Sequence, residues 1–166
     1  MLKYIVLLWV LNTQLVMAED STVSYLSQAK QVGDQIWIGP QTTKQDLDEL
    51  ANNHVAVVIN SRTQSEMDDL GFNENDQLKR RGMDYGMVEI GKGHDYSPEK
   101  LAAFNDLMIA NSDKKMVLHC RSGHRSSQLY AAWLIKYQGK TEDEALKIIQ
   151  SDDIELTASM QALLGK

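Results

Sequence analysis

Two short runs, Val55–Asn60 (VAVVIN) and Lys115–His119 (KMVLH), are apolar almost without interruption, and each is too brief for a helix. A strand with one wet face alternates apolar and polar residues; a strand covered on both faces does not. These two segments therefore read as strands sandwiched between layers, and what surrounds them reads as helix. Thr42–Asn52 has Thr42 and Gln45 at capping-box spacing and Leu47, Leu50 and Ala51 on one face. Glu74–Arg81 has helical character. Ser97 caps a helix that has Pro98 at its first position and a stripe of Leu101, Phe104, Leu107 and Met108. Gln128–Tyr137 reads as helix, Thr141 with Glu144 opens another that carries Ala145, Ile148 and Ile149, and a last short helix follows Leu156. Gln35–Ile38 and Asp84–Ile90 are extended. Helices between strands force crossover connections and hence parallel pairing. The expectation is an α/β fold: a mostly parallel central sheet of four to five strands flanked by helices. Ser21–Lys30 is polar and reads as a loosely held lead-in with some helical content.

The amino terminus has the pattern of an export signal. Lys3 precedes an apolar stretch from Tyr4 to Leu11, and Val16-Met17-Ala18 places small residues at cleavage positions. On this reading residues 1–18 are a signal peptide and 19–166 are a single domain, periplasmic or secreted. The apolar stretch is short for a spanning helix, so a retained anchor is the lesser reading and no membrane span is expected after cleavage. Removal of Lys3 leaves 16 lysines and arginines against 23 acidic residues, a net charge of −7. That balance, with no basic stripe carrying interleaved aromatics, argues against nucleic acid as partner. A domain of this size buries about two thirds of its unfolded surface and needs no disulfide. Its one cysteine, Cys120, cannot form an internal disulfide, and an exported thiol is a liability unless it is used.

Cys120 lies in His119-Cys120-Arg121-Ser122-Gly123-His124-Arg125-Ser126, between the second apolar run and the helix that follows it. The amide groups of such a turn have no strand partner, and a turn feeding a helix start aims them, with the positive end of the helix dipole, into one concavity suited to an anion. Helix starts beside cations also favour a thiolate over a thiol. Arg125 offers a planar fork of two NH groups to two anion oxygens, and Gly123 permits positive φ. His119 is expected to hold the loop by a hydrogen bond. Ser126 or Ser127 either donates to the sulfur or caps the helix. A lone cysteine at a strand end is usually an inert small hydrophobe. Two arginines and a histidine within five residues argue against that here.

Ligands of parallel sheets bind beyond the carboxyl ends of the strands. Three segments reach that edge: Ser61-Arg62, Gly91-Lys92-Gly93-His94-Asp95 and the cysteine loop. Arg62 would assist anion binding or brace the loop, and Arg121, Ser122 and His124 would line the substrate. The four histidines have no familiar zinc spacing, so neither a metal nor a cofactor is expected. Trp133 is expected to pack behind the cysteine loop.

The segments IWIGPQTT, VVINSR ending at Arg62, the strand through Val88 and Ile90, and HCRSGHRS together resemble the phosphatase-like domain of beta-lactamase hydrolase-like proteins, over about Val32 to Tyr137. The resemblance implies a fold similar to dual-specificity phosphatases and a cysteinyl-phosphate intermediate. It implies as partner a phosphorylated small molecule or a phosphoprotein. Asp95 is the candidate general acid, because the acid loop of the resembled phosphatases also follows a strand and precedes a helix; His94 competes with it. One departure stands out. Tyrosine and dual-specificity phosphatases resemble Cys-x5-Arg, whereas four residues separate Cys120 from Arg125. Rhodanese sulfurtransferases share the shorter loop, and a Cys120 persulfide would suit its smaller cradle. Their flanking Asp-x-Arg and Gly-His-Ile-x-Gly-Ala stretches are absent. A non-catalytic oxyanion-binding module is the third alternative.

Overall fold

The computed structural model describes residues 23–91, 95–153 and 155–166. The leader read in residues 1–18 and the segment Lys92-Gly93-His94 lie outside them. The chain runs α1 (Tyr25–Gln28), β1 (Lys30–Gly33), β2 (Ile36–Gly39), α2 (Lys44–Asn52), β3 (Val57–Asn60), α3 (Gln64–Asp68), α4 (Glu74–Arg80), β4 (Asp84–Met87), α5 (Pro98–Ala110), β5 (Met116–His119), α6 (His124–Gln138), α7 (Glu142–Ile148) and α8 (Ala158–Leu164). Five strands form one sheet in the order β1-β2-β5-β3-β4, with β1 antiparallel to β2 and all other pairs parallel.

Period-two alternation splits the two apolar runs between two cores. Val57, Ile59, Met116 and Leu118 face a cluster completed by Leu101 and Phe104 of α5, Leu129 of α6 and Met160 and Leu163 of α8. Val58 and Val117 face a smaller cluster with Tyr25, Leu47, Leu50 and Leu78 of α1, α2 and α4. Both runs read as buried strands because both faces are covered. The same parity turns His119 to the face of Val117, toward α4, and β2, β3 and β5 end in register: Gly39 and Asn60 both pair with His119.

Several local expectations shift by a residue or more. The N-cap of α2 is Thr43, whose hydroxyl and backbone exchange hydrogen bonds with Asp46, not Thr42 with Gln45; Thr42 is buried and its hydroxyl is committed elsewhere. Helix α6 starts at His124 rather than Gln128, because Gly123, at φ 90°, turns the chain directly into it. The lead-in is anchored, not loose: Tyr25 is buried, its hydroxyl donates to the Pro40 carbonyl at 2.8 Å, and β1 pairs along the sheet edge. Trp133 does not sit behind the cysteine loop. It lies more than two turns into α6, stacks on Tyr130 at 5.5 Å, donates to Asn105 and borders a groove with Gln35 and Met116 at the far end of the sheet. Ser97 with Pro98, and Thr141 with Glu144, cap α5 and α7 as their spacing predicts.

Candidate active site

Strand β5 ends at His119 and α6 begins at His124, so Cys120 to Gly123 must reverse the chain in four residues. The turn is packed against β2: the Arg121 carbonyl accepts from the Gln41 amide at 3.3 Å. A Cβ at Gly123 would stand 3.3 Å from the Gly39 carbonyl oxygen in a left-handed conformation, and a Cβ at Gly39 would stand 2.5 Å from the Tyr25 hydroxyl. The left-handed backbone favours glycine at Gly123, and the buried Tyr25 hydroxyl leaves no room for a side chain at Gly39. The amides of Arg121, Ser122 and Gly123 donate no hydrogen bond to any described residue. The first turn of α6 adds the unpaired amides of any helix start.

Cys120 is 1% exposed, at the base of this turn, with Arg121, Ser122 and His124 exposed around it. Arg125 projects from the first turn of α6 and is held from three segments, α3 and the stretches that follow β3 and β4. Its terminal nitrogens each donate to the Glu66 carboxylate at 2.7 Å, and one also donates to the Ile90 carbonyl at 2.7 Å and the Ser61 carbonyl at 3.4 Å. The bond to Glu66 raises the Arg125 pKa, and the neighbouring Cys120 adds to it. Conversely, the Arg125 hydrogen bonds hold the Glu66 carboxyl down to about 2, against a smaller opposing effect of burial.

Ser126 is buried and its hydroxyl meets that of Ser61 at 3.2 Å, while Ser127 donates its amide to the Gly123 carbonyl; neither side chain caps α6. Arg62 is engaged as a brace: one terminal nitrogen donates to the Gln41 side-chain oxygen at 2.8 Å, the other to the Glu66 carbonyl at 3.1 Å, and Nε lies 3.5 Å from the Glu66 carboxylate. The fully buried ring of His119 meets the Glu74 carboxylate at 3.1 Å through Nε2.

Asp95 precedes α5, its side chain 56% exposed. Its carboxylate accepts from the Gly91 amide at 2.6 Å and pairs with Lys100 at 3.2 Å. The Gly91 amide foremost, then Lys100, lower its pKa below the ordinary carboxyl value. Tyr96 beside it is buried, and burial pushes its pKa up. A cleft of about 360 Å³ opens next to the loop, bordered by Ser122, Gly123 and His124 on one side and Gln150, Asp152 and Asp153 on the other. Among the described residues no group of three or more His, Cys, Asp or Glu side chains is arranged to hold a metal.

Sequence reasoning brought together Cys120, Arg125, His119 and Arg62. It passed over Gln41, Thr42, Glu66 and Glu74. Glu66 does leave a sequence trace, because Thr63 and Glu66 form a reciprocal capping box on α3. Glu74 reads only as one more acid in the first turn of a helix.

A family model for the phosphatase-like domain of beta-lactamase hydrolase-like proteins matches residues 28–136, about two thirds of the chain. Among solved structures, Tk-PTP in its active form aligns with a TM-score of 0.69 at 21% identity, covering 84% of this chain and 97% of that one. PTPMT1 in complex with PI(5)P aligns with a TM-score of 0.69 at 17% identity, covering 83% and 93%. A DUF442 protein from Shewanella putrefaciens CN-32 aligns with a TM-score of 0.64 at 23% identity, covering 83% and 89%. At these identities the likeness establishes a shared fold, that of protein tyrosine and dual-specificity phosphatases. No curated protein matches the chain.

Proposed function

The chain belongs to the phosphatase-like domain family of beta-lactamase hydrolase-like proteins, and from that premise we propose that it hydrolyses phosphate monoesters with Cys120 as nucleophile. The observation that carries the reading is that the Cys120 turn runs directly into the helix start bearing Arg125, which donates two hydrogen bonds to Glu66, while the amides of Arg121, Ser122 and Gly123 donate to no described residue.

The Cys120 thiolate attacks phosphorus in line with the ester oxygen. The S–P bond forms as the P–O bond to the alcohol breaks, and the leaving oxygen takes a proton from Asp95. Arg125 and the loop amides stabilise the equatorial oxygens as charge spreads over them. Water then attacks the cysteinyl phosphate, the Asp95 carboxylate accepts its proton, and inorganic phosphate leaves with the thiolate restored. Asp95 is held here as a carboxylate by Gly91 and Lys100. To act as acid it must shed these contacts, so turnover of poor leaving groups should favour acidic pH. Arg121, Ser122 and His124, exposed on the rim, would meet the substrate beyond its phosphoryl group. The export leader read in residues 1–18 is part of this proposal and would put the enzyme in the periplasm or outside the cell.

The test is an assay of the full chain for phosphate release from aryl and alkyl phosphates and for sulfur transfer from thiosulfate to cyanide, each beside Cys120→Ser. Phosphate release lost in Cys120→Ser supports the proposal. Sulfur transfer without phosphate release overturns it in favour of a sulfurtransferase, and oxyanion binding with neither activity favours a binding module.

A further inference from the structure

Glu74 is the most deeply buried carboxylate near the site, 2% exposed at the start of α4, forty-five residues upstream of the ring it touches. Burying a carboxylate is costly unless its lone pairs are met. Oε1 accepts from the Thr42 hydroxyl at 2.5 Å and the Gln41 side-chain amide at 2.9 Å, and Oε2 faces His119 Nε2 at 3.1 Å. Burial pushes the Glu74 pKa up, yet His119 and these hydrogen bonds outweigh it and leave it lowered. A carboxylate in that state only accepts, so Nε2 must carry a proton. The other ring nitrogen, Nδ1, is buried with no hydrogen-bond partner among the described residues. Which nitrogen of a histidine is protonated follows from the hydrogen bond the other atom makes.

The network does not end there. The Gln41 oxygen accepts from Arg62, Arg62 bonds and pairs with Glu66, and Glu66 holds Arg125. One run of polar contacts therefore links the residue just before the sulfur to the guanidinium five places after it, with a carboxylate anchoring each end.

We propose that Glu74 is a positioning residue of the cysteine loop: it holds the proton of His119 on Nε2 and fixes the ring, and thereby the geometry between Cys120 and Arg125. The proposal rests on the phosphatase reading of the loop, but its first readout does not. An isosteric amide in place of Glu74 would keep its oxygen on Thr42 and Gln41 and turn its NH2 toward Nε2. The ring must then accept there and carry its proton on Nδ1, where it has no partner.

The experiment compares full-length wild type with Glu74→Gln by nitrogen-15 NMR of labelled histidine, and measures kcat and KM for an aryl phosphate. The expected result is an Nε2-protonated His119 in the wild type, transfer of the proton to Nδ1 in the variant, and a fall in kcat of about tenfold or more with little change in KM. In a His119→Asn background, Glu74→Gln should cost less than about twofold further, since residues that act through one another are not additive. Thr42→Val, which removes one donor and leaves the histidine contact, should keep Nε2 protonated and retain most activity. Nε2 found unprotonated in the wild type overturns the proposal, even if Glu74→Gln fails to fold. So does a proton transfer with kcat unchanged, or a loss in Thr42→Val as large as in Glu74→Gln. Wild type inactive on every phosphate ester but with the expected nitrogen signature would instead sink the phosphatase reading.

Discussion

The two sides of the site are built differently. The loop bearing Cys120 and Arg125 is buried or half-buried at its working atoms and tied to β2, β3 and α3 by side chains that are themselves tied down. Asp95 stands in solvent, held by one backbone amide and one lysine. The difference teaches where the energy of preorganisation is placed. An anion cradle works only if its dipoles are fixed before the charge arrives, because reorienting them would consume the stabilisation they supply. A proton donor has to change its charge in each turnover, and an exposed carboxylate with replaceable partners can do so.

The most severe break in the fixed side is Cys120→Ser, which should reduce phosphate release below detection; Arg125→Lys, with a point charge in place of a fork, should lose about 10²–10³-fold in kcat. Both are checked by steady-state assay beside circular dichroism. Glu66→Gln comes next. It weakens the clamp on Arg125 and should lower stability by about 2–4 kcal/mol in denaturant titration. It also tests a pH signature. The Glu66 pKa is lowered, so its contribution to stability is present above the unfolded value near 4.5 and is lost as pH falls toward about 2. The wild type should therefore lose more stability across that window than the variant does.

Gly39→Ala probes the seat of the loop rather than its charges. The added methyl meets the Tyr25 hydroxyl at 2.5 Å and should cost about 1–3 kcal/mol, with part regained in the double variant with Tyr25→Phe. On the exposed side, Asp95→Asn should slow alkyl phosphates by about 10²-fold and p-nitrophenyl phosphate far less, since a good leaving group needs no proton. Equal losses on both substrates would remove Asp95 from the acid role. The smallest effect belongs to Lys100→Ala. Lys100 helps to lower the Asp95 pKa, so its loss should raise that pKa and move the acid-dependent limb of the pH profile to higher pH, a small effect at so exposed a pair.

Strand and helix order was legible because it rests on local patterns. VVIN and MVLH are apolar on both faces, and Ser97-Pro98 and Thr141-x-x-Glu144 satisfy their own helix starts. The cap of α2 was misassigned by one residue because Thr42 and Thr43 are chemically equal in the sequence. Only packing commits Thr42 to Glu74. The antiparallel β1 was not legible, since Lys30–Gly33 is an edge strand with few buried side chains and little pattern to read.

What the sequence determined by itself is the chemistry at hand: one sulfur, a guanidinium five residues on, a glycine that turns the chain between them, and a strand and helix to hold the turn. These are neighbours along the backbone, so covalent geometry carries them together. What only the tertiary structure decided is which carboxylates hold that chemistry in place. Glu66 and Glu74 reach the loop from α3 and α4 across fifty-nine and forty-five residues of chain. The capping box of Thr63 and Glu66 marks a helix start and nothing more, and Glu74 is one acid among several, because a carboxylate acquires its role from the donors that folding brings to it.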